Sequence, residues 1–291
     1  MVTVRAPATT ANLGSGYDTF GAALERPADE VTVQRATETT LTVTGAGAEY
    51  VPEAPTENTA GVVAATLDAP ATIEIRKGIR PASGLGSSAA SAAAAAVALN
   101  ELYDRGYSRA ELVSVAAEGE AAASGEVHAD NVAPALLGGF TVTRPDGTTV
   151  VDAELSLVVC LPAQPISTRE ARQVVPSSLS MDDHVETVRN AATLTVGMCR
   201  SDPALVGRGL DDPVVTPARA ALVDAYDAVR EAATRAGATG VTISGSGPGV
   251  LAVTRPTDQR AVASAMVDGF ERAGIDARAI QTGVGDGATI R

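Results

Sequence analysis

The chain has no tryptophan, two histidines, two cysteines and a single lysine in 291 residues, and aromatic side chains make up only 3% of it. Cys160 and Cys199 stand far apart and form no C-x-x-C arrangement, which excludes a disulfide framework and a cysteine zinc site and predicts two buried free thiols. With only His128 and His184, a multi-histidine metal centre is excluded as well. No apolar h-region follows Met1, and the longest weakly apolar run, the alanine-rich stretch after Ser91, is too short to span a bilayer. These absences predict a soluble, cytoplasmic protein. No repeat of fixed period occurs, and no G-x-S-x-G elbow, so a serine hydrolase is disfavoured.

Positive charge is also scarce: Lys+Arg number 22 against 35 for Asp+Glu, a formal charge of -13. That balance opposes sequence-independent binding to nucleic acid or to an anionic membrane. An anionic substrate would have to be met by locally placed arginines. Near-absence of lysine with acids spread along the chain predicts adaptation to concentrated salt, where self-repulsion is screened. A hydrophobic content of 45% in a chain of this length allows two domains sharing a cleft.

What is abundant is glycine beside small residues. Pro81 to Asn100 reads Pro-Ala-Ser-Gly-Leu-Gly-Ser-Ser-Ala-Ala-Ser and then an almost unbroken run of alanine. The stretch Thr72 to Arg76 reads as a strand, Gly84 and Gly86 as a tight turn, and Ser87 and Ser88 as candidate N-caps. Unpaired N–H groups at such a helix start hold phosphate oxygens without a basic side chain, so this is a candidate phosphate cradle. It is not a Walker loop, because Lys77 lies before the glycines. Gly84, Gly86 and Ala89 fit a dinucleotide fingerprint, but Glu101 and Asp104 sit on the same helical run and not at the end of a second strand. A plain structural helix cap remains the other reading.

Along the chain, Val2 to Arg5 alternates as a strand and Ala6 to Asp18 reads as a glycine-bearing loop holding Asn12 and Asp18. Strands follow at Glu30 to Arg35 and Thr40 to Thr44, and a helix at Thr56 to Leu67. Ser108 and Glu111 form a capping box for a helix carrying Glu118 and Glu120. His128, Asp130 and Asn131 crowd a polar cluster that leads into Gly138 and Gly139 and the strand Phe140 to Thr143. After the turn at Arg144 to Gly147, the domain boundary is placed near residue 150, dividing the chain into 1–150 and 151–291. Ser167 caps a helix start carrying Thr168, Arg169 and Arg172. Long helices are predicted at Met181 to Met198 and at Thr216 to Ala236, the latter carrying Arg219. Strand, glycine loop and strand follow from Gly240 to Val253, then a helix from Pro256 to Ala273 and a strand from Ile275 to Ile280, which together make a second α/β sandwich.

Three stretches, in this order, resemble the galactokinase, homoserine kinase, mevalonate kinase and phosphomevalonate kinase superfamily: Pro7 to Asp18, Gly84 to Ser91 and Ser244 to Gly249. Pro7 to Asp18 and His128 to Gly139 look specifically like the homoserine kinases, over essentially the whole chain. The resemblance implies an α+β, two-domain fold, ribosomal-S5-domain-2-like at the N-terminus and ferredoxin-like at the C-terminus. It implies ATP against Pro81, Ala82, Ser83, Gly84, Leu85, Gly86, Ser87, Ser88, Ala89 and Ala90, with Mg²⁺ at Ser88 and Glu120, an oxygen pair that suits a hard cation. L-homoserine, a zwitterion, would place its carboxylate at Arg172 and Arg219 and its amino end at Asn12 and Asp18, with His128, Asn131 and Thr168 lining the rest.

Asn131 would orient the reacting hydroxyl without acting as a base, since a loose phosphoryl-transfer transition state needs positioning and charge neutralisation more than early deprotonation. The resemblance alone carries the expectation of a homodimer, and with the acidic composition it points to a halophilic archaeon. Thr10, Tyr17, Ser246 and Gly249 depart from the family's commoner serine, phenylalanine, alanine and threonine. Alternatives are a shikimate kinase of the same superfamily, whose substrate lacks an ammonium for Asp18, and a non-catalytic nucleotide-binding regulator.

Overall fold

The computed structural model describes residues 1–124 and 129–291. Strand β1 (Val2–Ala11) continues through Pro7, where the sequence predicts a loop from Ala6 onward. Its ladder to β2 (Phe20–Arg35) shifts register between Pro7 and Thr9, so the residue that lacks an N–H sits at an irregularity. Beyond the shift the Thr9 N–H donates to Leu85 O at 3.1 Å, which fastens the strand to the glycine loop. The strand β2 likewise starts well before the predicted Glu30, because it pairs with that extension of β1.

Five further strands complete the first sheet: β3 (Thr40–Gly45), β4 (Ala71–Lys77), β5 (Phe140–Arg144), β6 (Gly147–Val151) and β11 (Thr289–Ile290). The last of these pairs with β1, so the chain ends on the sheet where it began. Strand β4 alternates buried and exposed positions, putting Ile73, Ile75 and Lys77 on the inner face. Helices α1 (Thr59–Thr66), α2 (Ser87–Tyr103), α3 (Arg109–Ser124) and α4 (Ala129–Leu137) pack together and onto this sheet. The helix α2 is buried on nearly every side, and its alanines are what let it lie between sheet and helices. The capping box at Ser108 and Glu111 forms as predicted. Helix α4 occupies residues read from sequence only as a polar cluster.

The second sheet holds β7 (Ser156–Pro162), β8 (Gly240–Ile243), β9 (Val250–Thr254) and β10 (Ala277–Gly283) in the order β10-β7-β9-β8, every neighbouring pair antiparallel. Between β7 and β8 run α5 (Thr168–Gln173), α6 (Met181–Cys199), α7 (Pro203–Gly209), α8 (Val215–Ala220) and α9 (Tyr226–Arg235); α10 (Gln259–Glu271) links β9 to β10. This is the ferredoxin-like order. One face packs Val158, Cys160 and Val250 against Val229, Val262, Met266 and Phe270. Leu157, Val159, Leu251 and Val253 on the other face join Leu194, Met198 and Val206 in a core continuous with that of the first sheet.

Two expectations fail here. The predicted helix Thr216 to Ala236 is broken into α8 and α9, with Ala225 at φ 64 between them. A straight helix would put Arg219, Val223 and Tyr226 on one face; the break sends the Arg219 guanidinium to the cleft while Val223 and Tyr226 enter the second core. Of the two thiols only Cys160 is buried, pushed up to about 12 by burial, whereas Cys199 is exposed at the end of α6. Among the described residues no helix is long and apolar enough to cross a membrane.

Helix α7 reaches β8 through two glycines: a Cβ at Gly207 would lie 2.1 Å from Thr239 O, and one at Gly240 2.4 Å from Gly207 O. Backbone cannot yield as a side chain can, so Gly207→Ala should destabilise by about 1–3 kcal/mol or more in urea unfolding. An unchanged midpoint would refute this close approach.

Candidate active site

The cleft between the two sheets has a volume of about 340 Å³, and the glycine loop forms its floor. Ala82, Gly84 and Gly86 take φ 54, 76 and 60, so the loop turns left-handed at alternate residues before α2 begins. Gly86, not Ser87 or Ser88, occupies the N-cap position, and no side chain caps the helix. The reason is that both serines are engaged inside the first turn. Ser87 Oγ donates to Ile79 O at 2.8 Å, and Ser88 Oγ to Glu120 Oε1 at 2.8 Å. Backbone N–H groups at the start of α2 are thereby left to the cleft side. Pro81 to Ser88 line the cleft, while Ala89 and Ala90 are fully buried under the first turn and do not.

Beneath the loop lies the chain's one lysine. Lys77 Nζ is paired with Asp29 and donates to Ser87 O at 2.8 Å and Ser91 Oγ at 2.7 Å. Ser91 Oγ in turn donates to Asp29 Oδ2 at 2.9 Å, and Asp29 Oδ1 accepts the N–H groups of Gly78 and Ile79 at 2.9 and 3.0 Å. Burial pulls the Lys77 ammonium below its ordinary value, and Asp29 and then Glu120 pull it back. The Glu120 carboxyl is raised by burial, against the hydroxyl of Ser88 and the charge of Lys77. Sequence reasoning took Lys77 only as evidence against a Walker loop. The alternation of β4 was the available signal, since it places Lys77 inward with Ile73 and Ile75.

Two other loops meet the glycine loop. A Cβ at Gly84 would lie 2.4 Å from Ser244 O, and one at Gly86 2.0 Å from Thr9 Oγ1 and 2.8 Å from Asn131 Oδ1. Ser244 Oγ lies 2.7 Å from Gly84 O and 2.9 Å from Thr10 Oγ1, which accounts for a hydroxyl at position 10. A Cβ at Gly249 would already stand 2.7 Å from Ser83 O, so glycine there serves packing. Thr9 Oγ1 donates to Asn131 Oδ1 at 2.8 Å, fixing the amide that α4 brings to the cleft.

At the other end the charges concentrate. Arg172 forks onto Asp18 with both contacts at 3.0 Å. Arg219, almost fully buried, donates through Nε to Ala171 O at 3.1 Å and through Nη1 to Gly245 O at 2.8 Å. Both guanidiniums lie over the Tyr17 ring, at 5.6 and 5.1 Å from its centroid. Asn12 uses its amide to hold the site together, donating to Gly245 O at 3.0 Å and accepting the Asp18 N–H at 3.0 Å. Thr168 Oγ1 lies 3.4 Å from Ser246 Oγ at the first turn of α5, which Ser167 caps as predicted, in a capping box with Glu170 that the sequence reading did not name.

Asp130, read from the sequence only as a member of a polar cluster, is buried at this end, its carboxyl raised to about 7 by burial first and the Asp18 charge second. His128 lies outside the described residues. Among those described, no three acidic, histidine or cysteine side chains converge on a metal position.

Two family models match the chain, GHMP kinases N terminal domain over residues 56–139 and GHMP kinases C terminal over residues 194–286. A homoserine kinase from Halorubrum lacusprofundi is 68% identical over 290 residues, covering 100% of this chain and 99% of that protein. One from Halobacterium salinarum is 67% identical, covering 99% and 96%. Both sources are halophilic archaea, in keeping with the acidic composition. The crystal structure of homoserine kinase from Cytophaga hutchinsonii superposes with a TM-score of 0.91 at 33% identity, covering 100% of this chain and 97% of that one.

Removing one member of a buried ion pair strands the other, at a cost of about 3–5 kcal/mol. Lys77→Met and Asp29→Asn should each lower unfolding free energy by that order in guanidinium titrations, and the double variant should recover part of it. Single losses below about 1 kcal/mol would show that the pair does not hold the loop.

Proposed function

The chain belongs to the GHMP kinases, among their homoserine kinases, and from that premise we propose how its own residues move the γ-phosphoryl group of ATP to the side-chain hydroxyl of L-homoserine. The observation that carries the reading is one cleft lined at one end by a glycine loop opening a helix and at the other by two carboxylates and two guanidiniums. A helix N-terminus suits phosphate; balanced opposite charges suit a zwitterion.

In this reading the backbone from Gly84 to Ser88 holds the phosphates. Ser88 and Glu120, 2.8 Å apart, fit Mg²⁺ as a hydroxyl and a carboxylate, and would hold it there. When bound, the ion neutralises phosphate charge. Asn131 has its Oδ1 occupied by Thr9, so the amide N–H group is the end it offers to the substrate hydroxyl. An amide donor positions the oxygen and takes no proton. The substrate oxygen bonds to the γ-phosphorus, the bond from that phosphorus to the β–γ bridging oxygen breaks, and the hydroxyl proton passes to the transferred phosphate as ADP leaves.

Asp18 and Arg172 pair with one another across the cleft. Homoserine carries the same two charges, so its carboxylate takes Arg172 and Arg219 while its ammonium takes Asp18 and Asp130. Shikimate has no ammonium and would leave two carboxylates facing nothing. Residues 1–150 serve as the nucleotide domain and 151–291 as its partner, and the enzyme works in the cytoplasm.

Coupled ADP release with homoserine, shikimate and mevalonate tests the assignment, and turnover of shikimate alone would overturn it. Arg172→Ala should remove a charge-assisted hydrogen bond worth roughly 1.5–3 kcal/mol, a loss of about ten- to hundredfold in homoserine kcat/KM, with little change in ATP affinity. Arg219→Ala should do the same and also lower stability, because its guanidinium holds Ala171 O and Gly245 O. Ser88→Ala and Glu120→Ala should instead impair nucleotide and metal use. Equal damage to ATP and homoserine use by all four would refute the division.

The raised Asp130 carboxyl gives a pH test. Below about 7 it is protonated in the free enzyme and cannot attract an ammonium, and above about 7 it is charged. Homoserine kcat/KM should therefore rise with pH through about 7 and then level. In Asp130→Asn that limb should vanish; its persistence would assign the titration to another group.

A further inference from the structure

The loop that carries Tyr17 is pinned on both sides. Asn12, Leu13, Gly14 and Asp18 take positive φ, at 70, 49, 68 and 54. A Cβ at Gly14 would lie 2.3 Å from Leu210 O, and Ser15 Oγ donates to Asp211 O at 3.0 Å, so the loop is pressed against the connection from α7 to α8. Gly16 O accepts the N–H groups of Thr19 and Phe20 at 2.9 and 2.8 Å, and a Cβ at Gly16 would fall 2.2 Å from the Phe20 ring. Between these contacts Tyr17 is half-buried and has little freedom to move.

Its ring is where both cations of the charged end come to rest. The guanidinium carbons of Arg172 and Arg219 lie 5.6 and 5.1 Å from the ring centroid. Burial pulls the Arg219 guanidinium below its ordinary value, Tyr17 and then Asp18 pull it back, and the Arg172 charge opposes it. Two like charges this close repel, so something must hold them together before a substrate carboxylate arrives. Arg219 is tied to Ala171 O and Gly245 O, but Arg172 is forked onto Asp18, the carboxylate needed for the substrate ammonium. A ring attracts a cation through its negative face and leaves the N–H groups to other acceptors, so this contact lasts when Asp18 turns to the ammonium.

We propose that Tyr17 is a positioning residue for homoserine: its ring face holds Arg172 and Arg219 side by side as a carboxylate clamp once Asp18 has released Arg172. The inference rests on the assignment of the substrate carboxylate to those two arginines. Asp18, Arg172 and Arg219 line the cleft and Tyr17 does not, so the ring acts through the guanidiniums and not on the substrate. Its effect falls on homoserine binding and spares the nucleotide and the transfer step.

Steady-state kinetics of the full chain with altered rings at position 17 test this. Tyr17→Phe, the conservative variant, keeps the ring face and should hold homoserine KM within about threefold of wild type. Pentafluorophenylalanine at position 17 keeps the shape and reverses the charge of the face. It should raise homoserine KM about tenfold over Tyr17→Phe, with kcat and ATP KM within about twofold. On an Arg172→Ala background the same exchange should cost only about threefold, because one of the two cations is gone.

An unchanged homoserine KM in the fluorinated variant would overturn the proposal. So would a loss spread equally over homoserine KM, ATP KM and kcat, which marks disturbed packing. An undiminished tenfold effect on the Arg172→Ala background would overturn it too, by showing that the ring acts on something other than the guanidiniums. If Arg172→Ala itself keeps the wild-type homoserine KM, the carboxylate assignment falls and this inference with it. A large loss in Arg172→Ala beside a harmless fluorinated ring removes the inference alone.

Discussion

The Lys77 ammonium and the Asp29 carboxylate meet inside the protein, and the glycine loop is built on top of them. Their contacts reach both sides of the turn: Asp29 takes the N–H groups of Gly78 and Ile79 where the loop leaves β4, and Lys77 takes Ser87 O where it enters α2. A buried pair of this kind is rarely a large net source of stability, because desolvation offsets the attraction. What it does is fix geometry, since any shift of the loop would break hydrogen bonds that buried charges cannot replace with water. A cation near a helix start also opposes the macrodipole, and Asp29 is what makes that position tolerable.

The rest of the site hangs from this fixed loop through close backbone approaches. Gly84 admits Ser244 O, Gly86 admits Thr9 and Asn131, and Gly249 admits Ser83 O. Through these contacts β1, α4 and the loop between β8 and β9 all reach the same few residues. Arg219 completes the set by bonding Gly245 O on one side and Ala171 O on the other. Glycine-loop end and charged end are therefore held in register by short backbone distances and not by the two sheets separately.

Local codes were legible in the sequence and long-range ones were not. Alternation located β3, a β-branched run located β4, and the Ser108–Glu111 box and the cap at Ser167 located two helix starts, because each signal lies within a few residues of its cause. The extension of β1 through Pro7 depends on a register shift against β2, and β11 depends on a strand at the other end of the chain. Neither leaves a local trace. The break between α8 and α9 was hidden because Arg219, Val223 and Tyr226 fit a helical period that the tertiary structure overrides. Motif resemblance supplied what periodicity could not, naming Glu120 and Arg219, which look like surface residues in sequence and are buried in the fold. It did not supply Asp130 or Asp29, since an aspartate carries no sign of burial until its surroundings are known.

Charge balance in the cleft follows from the acidity of the whole. In a chain at -13, an arginine facing open solvent does little to attract one carboxylate over the background. Arg172 is instead held in place by its fork onto Asp18, and Arg219 is buried against carbonyls, where the lower dielectric strengthens each contact. Two guanidiniums face two carboxylates, Asp18 and Asp130, so the charged end is close to neutral once Asp130 ionises. In the proposed reading a zwitterion would enter without changing net charge, and the fork between Arg172 and Asp18 would give way to two contacts of the same kind. On that reading selection would rest on where the opposite charges stand, because distance between them is what a shared acidic field cannot imitate.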